Sequence, residues 1–180
     1  PWTMEKFCFR GTTLAVYAGS LDDFEIHEAD KGALVTVLTS AALSAPVDLF
    51  REIRGEDKIL SRLCALSERL DSTLVAGMLV RYGEIRRLSA AIAHRGVLED
   101  VADSCTAPDP FVRGGTVKII ATDGLSFAVC PGRDAASRLI MGKIVGLCDA
   151  VVAVDSTYSP SAEAAITGLS DEFSLPVLYA

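Results

Sequence analysis

Histidine is scarce in this chain, and an excess of positive charge is absent. His27 and His94 are the only imidazoles among 180 residues, too few for a convincing metal site, and no cofactor-binding motif accompanies them. Seventeen Lys and Arg stand against twenty-four Asp and Glu, a net charge of −7 with a pI of about 4.8. Nucleic-acid binding needs a concentrated basic surface to displace counterions, so a nucleic-acid partner is not expected. The local cluster RYGEIRR (81–87) is too short and too mixed in sign to change that. No apolar run approaches the roughly 18–20 residues that cross a bilayer, so no membrane partner is expected. The opening PWTMEKFCFRG lacks a basic segment followed by a long apolar one, so it does not read as a signal peptide. One reading of this N-terminus begins at Met4, with Pro1 to Thr3 left over from processing. Repeats and low-complexity segments are also missing. Cysteines stand at 8, 64, 105, 130 and 148, an odd number without a C-x-x-C pair. That argues against zinc ligation and a disulfide framework and favours a reducing, cytoplasmic setting.

Apolar residues are abundant: half the chain is hydrophobic and mean hydropathy is +0.35. The length suits a single domain over 1–180 with a sizeable core. TTLAVYAG (12–19) and the β-branched ALVTVLTS (33–40) read as strands, joined by a polar, short helical connection over 20–32. Ile59, Leu60, Leu63, Cys64, Leu66 and Leu70 recur at helical spacing within 56–70. Strands follow over 72–80 and 85–94, with a turn at Tyr82-Gly83 between them. The proline- and glycine-bearing stretch 105–115 is the longest loop. Asp123-Gly124 then marks a hairpin between TVKIIAT and LSFAVC. A helix over 134–148, a buried strand over 150–156, a helix over 161–173 and the short strand PVLYA complete an α/β pattern with a mixed sheet.

LSFAVCPGRD (125–134) carries the most chemistry. A strand ending on Cys130, a tight turn at Gly132 and a following helix would form a nucleophile elbow, with the thiol on the sheet's lip and its pKa lowered by the helix N-terminus. The plainer reading is a small buried hydrophobe. Asp134 suits a helix N-cap. Glu99, Asp100 and Asp103 suit solvated surface. Cys105 is a second thiol that a fold might bring near Cys130. His94 reads as a turn residue, His27 as a surface residue, and DSTYSPSAE (155–163) as a loop with an N-cap or a ligand-facing strand end.

Phe111-Val112-Arg113-Gly114, the two strands ending in FAVC, the helix with Arg138, GLCDAVVAVDS and the helix leading to PVLYA stand in an order that resembles the nitrilase superfamily of carbon–nitrogen hydrolases. ALVTVLTSAALS and AAIAHRGVLEDVADSCTAP extend the resemblance back to residue 33. It implies a nitrilase-like α-β-β-α layered sandwich with mixed sheets. The family continues past the position of PVLYA, so the resemblance also implies that its C-terminal strands are lacking here. Family members use a Glu base, a Lys that stabilises the oxyanion, and a Cys nucleophile. By position the nucleophile falls on Cys130, the Glu on Ser40 and the Lys near Ser104, and no lysine occurs between Lys58 and Lys118. Serine at these places supplies neither base nor cation. Pro131 removes the backbone N–H that follows the nucleophile. The expectation is a protein without normal hydrolase activity, a binding or assembly module for a small amide or carboxylate, paired as a homodimer through its last two helices. The alternative is an active hydrolase of a small amide, using Cys130 with other partners. An unrelated α/β domain is the third possibility.

Overall fold

The computed structural model describes residues 2–39, 42, 43, 45–155 and 160–180. Two sheets lie face to face between helices. The larger is ordered β1-β2-β3-β5-β6-β7, with β4 paired to β5. Its strands are β1 (Thr3–Phe9), β2 (Thr12–Ala18), β3 (Val35–Leu38), β4 (Val47–Asp48), β5 (Thr73–Tyr82), β6 (Ile85–His94) and β7 (Val97–Asp103). The smaller is ordered β11-β10-β9-β8, from β8 (Lys118–Thr122), β9 (Leu125–Pro131), β10 (Ala150–Val154) and β11 (Val177–Tyr179). Helices α1 (Leu49–Ile53) and α2 (Ile59–Leu70) belong to the larger sheet's side, and α3 (Arg138–Ile144) and α4 (Pro160–Phe173) to the smaller sheet's.

Strand alternation builds the layers, because successive side chains point to opposite faces. Along β5, Leu74, Ala76, Met78 and Val80 pack with Leu63, Leu66 and Leu70 of α2. Val75 faces the other way, joining Val35, Val37 and Ile92 against Phe127, Val129, Val152 and Val154 of the smaller sheet. Ala128, Cys130, Val151 and Ala153 then meet Met141, Ile144, Ile166 and Leu169 beneath α3 and α4. Strands clad on both faces explain the fully buried runs VTVL and AVVAV, in which the one hydroxyl, Thr36, is bonded to Ser72 Oγ at 2.7 Å. The α-β-β-α sandwich with mixed sheets is therefore present as expected from the resemblance.

Differences from the sequence reading have local causes. Thr3–Phe9 is an additional strand, paired antiparallel with β2 across a turn in which Arg10 and Gly11 both take positive φ. As a largely exposed edge strand it lacks the apolar alternation that marks a buried one. The connection over 20–32 is two short 3-10 turns, Leu21–Asp23 and Glu28–Asp30. Side chains cap the start of each: Ser20 Oγ accepts from Asp22 N at 3.2 Å and Asp30 Oδ2 accepts from His27 N at 2.9 Å. The helix expected over 134–148 is a 3-10 turn, Asp134–Ala136, followed by the seven-residue α3. Ser137 breaks the two apart in an extended conformation and caps α3 through Ile140 N at 3.3 Å. The short β4 and α1 were not foreseen. Asp123 and Gly124 take φ of 48° and 77°, the left-handed pair that a two-residue hairpin demands.

The sheets approach closely at Gly77 in β5, where an added Cβ would lie 3.2 Å from Val154 Cβ. Gly77→Val should overpack this interface and destabilise the protein by about 1–3 kcal/mol. Urea denaturation of the variant against the parent checks this, and an unchanged midpoint would contradict it.

Candidate functional site

β7 and β9 end near one another, and the turns beyond them carry the polar groups of interest. β9 does not stop at Cys130 but runs on through Pro131, which stands in register with Val154 of β10. Cys130 is paired with Ala153 and shares the helix-facing parity of Ala128. Its thiol is 0% exposed, enclosed by the layer containing Ala135, Met141 and Ile144. The exposed lip expected of a nucleophile elbow is not what the strand provides. Burial pushes the Cys130 thiol far above its ordinary value, and the negative charge of Asp134 pushes it the same way. A three-residue 3-10 turn follows, in place of a helix whose amides could favour a thiolate.

Gly132 turns the chain back at φ 61° and donates its N–H to Val154 O at 2.9 Å. A Cβ here would lie 3.1 Å from Ser104 Oγ, so the missing side chain lets the turn approach the end of β7. Ser104 is fully buried. Its N–H donates to Leu88 O at 2.7 Å and its carbonyl accepts from Gly114 N at 2.8 Å. Its hydroxyl donates to Asp134 Oδ1 at 2.8 Å.

Asp134 is neither solvated nor an N-cap, contrary to the sequence reading; Arg133 holds the cap position. Its carboxylate is 1% exposed and reaches across to residues 104–106. Cys105 N–H donates to both carboxylate oxygens, at 2.9 and 3.1 Å. Thr106 donates its N–H at 3.1 Å and its hydroxyl at 2.6 Å. Two amides and two hydroxyls thus converge on one buried anion, which removes much of the penalty for burying it. Ser104 and Asp134 are thirty residues apart, so no local pattern in the sequence announces their meeting.

Of the remaining acids near Ser104, Asp103 and Asp100 have other partners. Asp103 accepts from Ser89 Oγ at 2.7 Å and from Arg87 Nη1 at 3.2 Å. Asp100 lies 3.6 Å from Lys118 Nζ, and Glu99 faces solvent. Cys105 is half-buried and its thiol is raised by burial, then by Asp134 and Asp103. Cys105 and Cys130 are both free thiols. His94 is half-buried, with Nδ1 2.8 Å from Thr73 Oγ1. His27 stacks on Trp2 at 5.6 Å. Asp155 is buried and accepts from Tyr179 OH at 3.2 Å. Ser40 and residues 156–159 lie outside the described residues. Among the described residues no group of three or more His, Cys, Asp or Glu is placed to hold a metal ion, and no helix is long and apolar enough to cross a membrane.

Comparison with known proteins gives structural likeness alone: no family model and no curated protein sequence matches the chain. An amidase of the nitrilase superfamily from Nesterenkonia superposes with a TM-score of 0.66 at 15% identity, over 83% of this chain and 63% of that one. A carbon–nitrogen hydrolase from Helicobacter pylori gives 0.63 at 16% identity, over 82% and 60%. The glutamine-dependent NAD+ synthetase from Acinetobacter baumannii gives 0.61 at 18% identity, over 82% and 31%. The chain spans less than two thirds of the length of each. At these identities the likeness is one of fold.

A thiol whose pKa is higher folded than unfolded stabilises the fold fully below the unfolded value, and that contribution is lost as pH rises toward the folded one. The window for Cys130 therefore opens above 9.0, its ordinary value. Stability should fall from about pH 9 upward, by up to about 1.4 kcal/mol per pH unit for each sealed thiol. Cys130→Ala should show a shallower alkaline slope in urea titrations at pH 8 to 10.5, and an identical slope would contradict the assignment.

Proposed function

On the premise that this chain carries the fold of the nitrilase-superfamily carbon–nitrogen hydrolases, we propose that it is a non-hydrolytic binding or assembly module. The buried Asp134 carboxylate, bonded to Ser104 and acting on the Cys130 thiol, carries this reading. Acyl transfer from an amide to a cysteine needs a thiolate, a base to generate it, and donors or a cation for the oxyanion. Here the thiol is held neutral. The residue after it is Pro131, which has no N–H to offer. Where the resemblance puts a lysine, Ser104 brings a carboxylate into the cluster instead. A negative charge there raises the energy of a developing oxyanion.

The ligand of such a module would be a small amide or carboxylate, the substrate and product classes of the chemistry that the fold hosts elsewhere. Five free thiols support a reducing compartment, the cytoplasm. Self-association is the second part of the proposal. Leu139 and Leu147, in and just beyond α3, are 67% and 61% exposed and line the same concave surface. Apolar residues crowded on one face suit burial against a second copy.

Three measurements check these statements. The parent should hydrolyse small aliphatic amides no faster than Cys130→Ala, and iodoacetamide at pH 7 should modify Cys130 more slowly than free cysteine. Rapid Cys130-dependent turnover would favour the active hydrolase with other partners. Light scattering at micromolar concentration should give a dimer, and Leu139→Glu with Leu147→Glu should convert it to monomer; a monomeric parent would count against assembly.

A further inference from the structure

The donors around Asp134 form a receptor as much as a bond network. Cys105 N–H, Thr106 N–H, Thr106 Oγ1 and Ser104 Oγ come from three successive residues and converge on one carboxylate. Successive backbone N–H groups aimed at one point make an anion-binding concavity, and the flanking hydroxyls add short charge-assisted bonds. The pocket is rigid from behind. Ser104 is held through both its N–H and its carbonyl, and a Cβ at Gly114 would lie 2.7 Å from Asp103 O. The occupant comes from the turn after β9, between Cys130 and α3. Its bonds tie that turn to the end of β7.

We propose that residues 104–106 are a carboxylate-binding nest that carries its own ligand, Asp134, and that this internal occupant keeps the Cys130 layer closed. Releasing Asp134 would free the 132–137 segment, which carries Ala135 over Cys130 and leads into α3. The nest would then accept a small free carboxylate, formate or acetate, in place of the side chain. The device goes beyond the non-hydrolytic reading and does not depend on whether any amide is turned over.

The test uses the full chain with Asp134→Gly, sodium formate as the probe and sodium chloride at equal ionic strength as the control. Two quantities are read: the rate of Cys130 alkylation by iodoacetamide, followed by mass spectrometry of its peptide, and the thermal midpoint. Alkylation should rise at least tenfold in Asp134→Gly and fall back toward the parent rate with formate but not chloride. Formate should raise the variant's midpoint and leave the parent's unchanged. Adding Thr106→Val to Asp134→Gly should abolish the formate effect. An unchanged alkylation rate in Asp134→Gly, or formate acting no better than chloride, overturns the proposal. Thr106→Val alone removes one donor with little change of shape, so it keeps the test open if Asp134→Gly does not fold. It should raise alkylation several-fold, and no change would equally overturn the latch. Amide turnover by the parent would sink the non-hydrolytic reading while leaving the formate result to decide the nest.

Discussion

The smaller sheet is covered on both faces, and that constraint decides what its residues can be. In β9 and β10 a side chain goes either to the sheet interface or to the helix layer. Phe127, Val129, Val152 and Val154 take the first direction, and Ala128, Cys130, Val151 and Ala153 the second. The helix-facing set is smaller, which fits helices packed close against the sheet. Cysteine is suited to this place as a small apolar body. Placement by strand parity explains why a residue with a nucleophile's sequence context is enclosed by Met141 and Ile144.

A second constraint follows from burying Asp134 nearby. An ionised carboxylate withdrawn from water needs nearly all its acceptor capacity filled. The turn at 104–106 meets that demand with backbone amides that no ladder uses and hydroxyls that have no better partner. Glycine suits both approaches to the end of β7: at 114 a Cβ would lie 2.7 Å from Asp103 O, and at 132 the chain takes a φ of 61°. Serine at 104, proline at 131 and aspartate at 134 are thus consistent with one another. Each fits a packed, anion-holding corner.

The sequence was most legible where periodicity and turn chemistry act locally. The Asp123-Gly124 hairpin, the Leu63–Leu66–Leu70 face of α2, the β-branched run of β3 and the apolar run of β10 carry their structure within a few residues. β1 was not legible, because an edge strand exposed on most of its length owes its form to pairing with β2 rather than to its own pattern. The 134–148 segment misled for a related reason. Leu139, Ile140, Ile144 and Leu147 keep a helical period, while Ser137 and the tie from Asp134 to Ser104 dictate where the helix begins. The candidate site was half legible. Ser104, Pro131 and Cys130 could be placed by segment order. The role of Asp134 could not, since its partners lie almost thirty residues upstream and meet it only once both sheets are assembled.

The position of the polar corner is set by the sheets, and its bonding by a few residues at the strand ends. The strand order that brings the end of β7 beside the end of β9 is a property of the sandwich, with apolar layers on either side of the smaller sheet. Any charge buried at those strand ends must find partners there. A cation at 104 would need an anion or a ligand to face. Serine with Asp134 satisfies the same corner from within the chain, with the anion already supplied. The polar corner then serves to fasten the turn over Cys130. That is a mechanical use of donors that, left vacant, would suit a bound carboxylate.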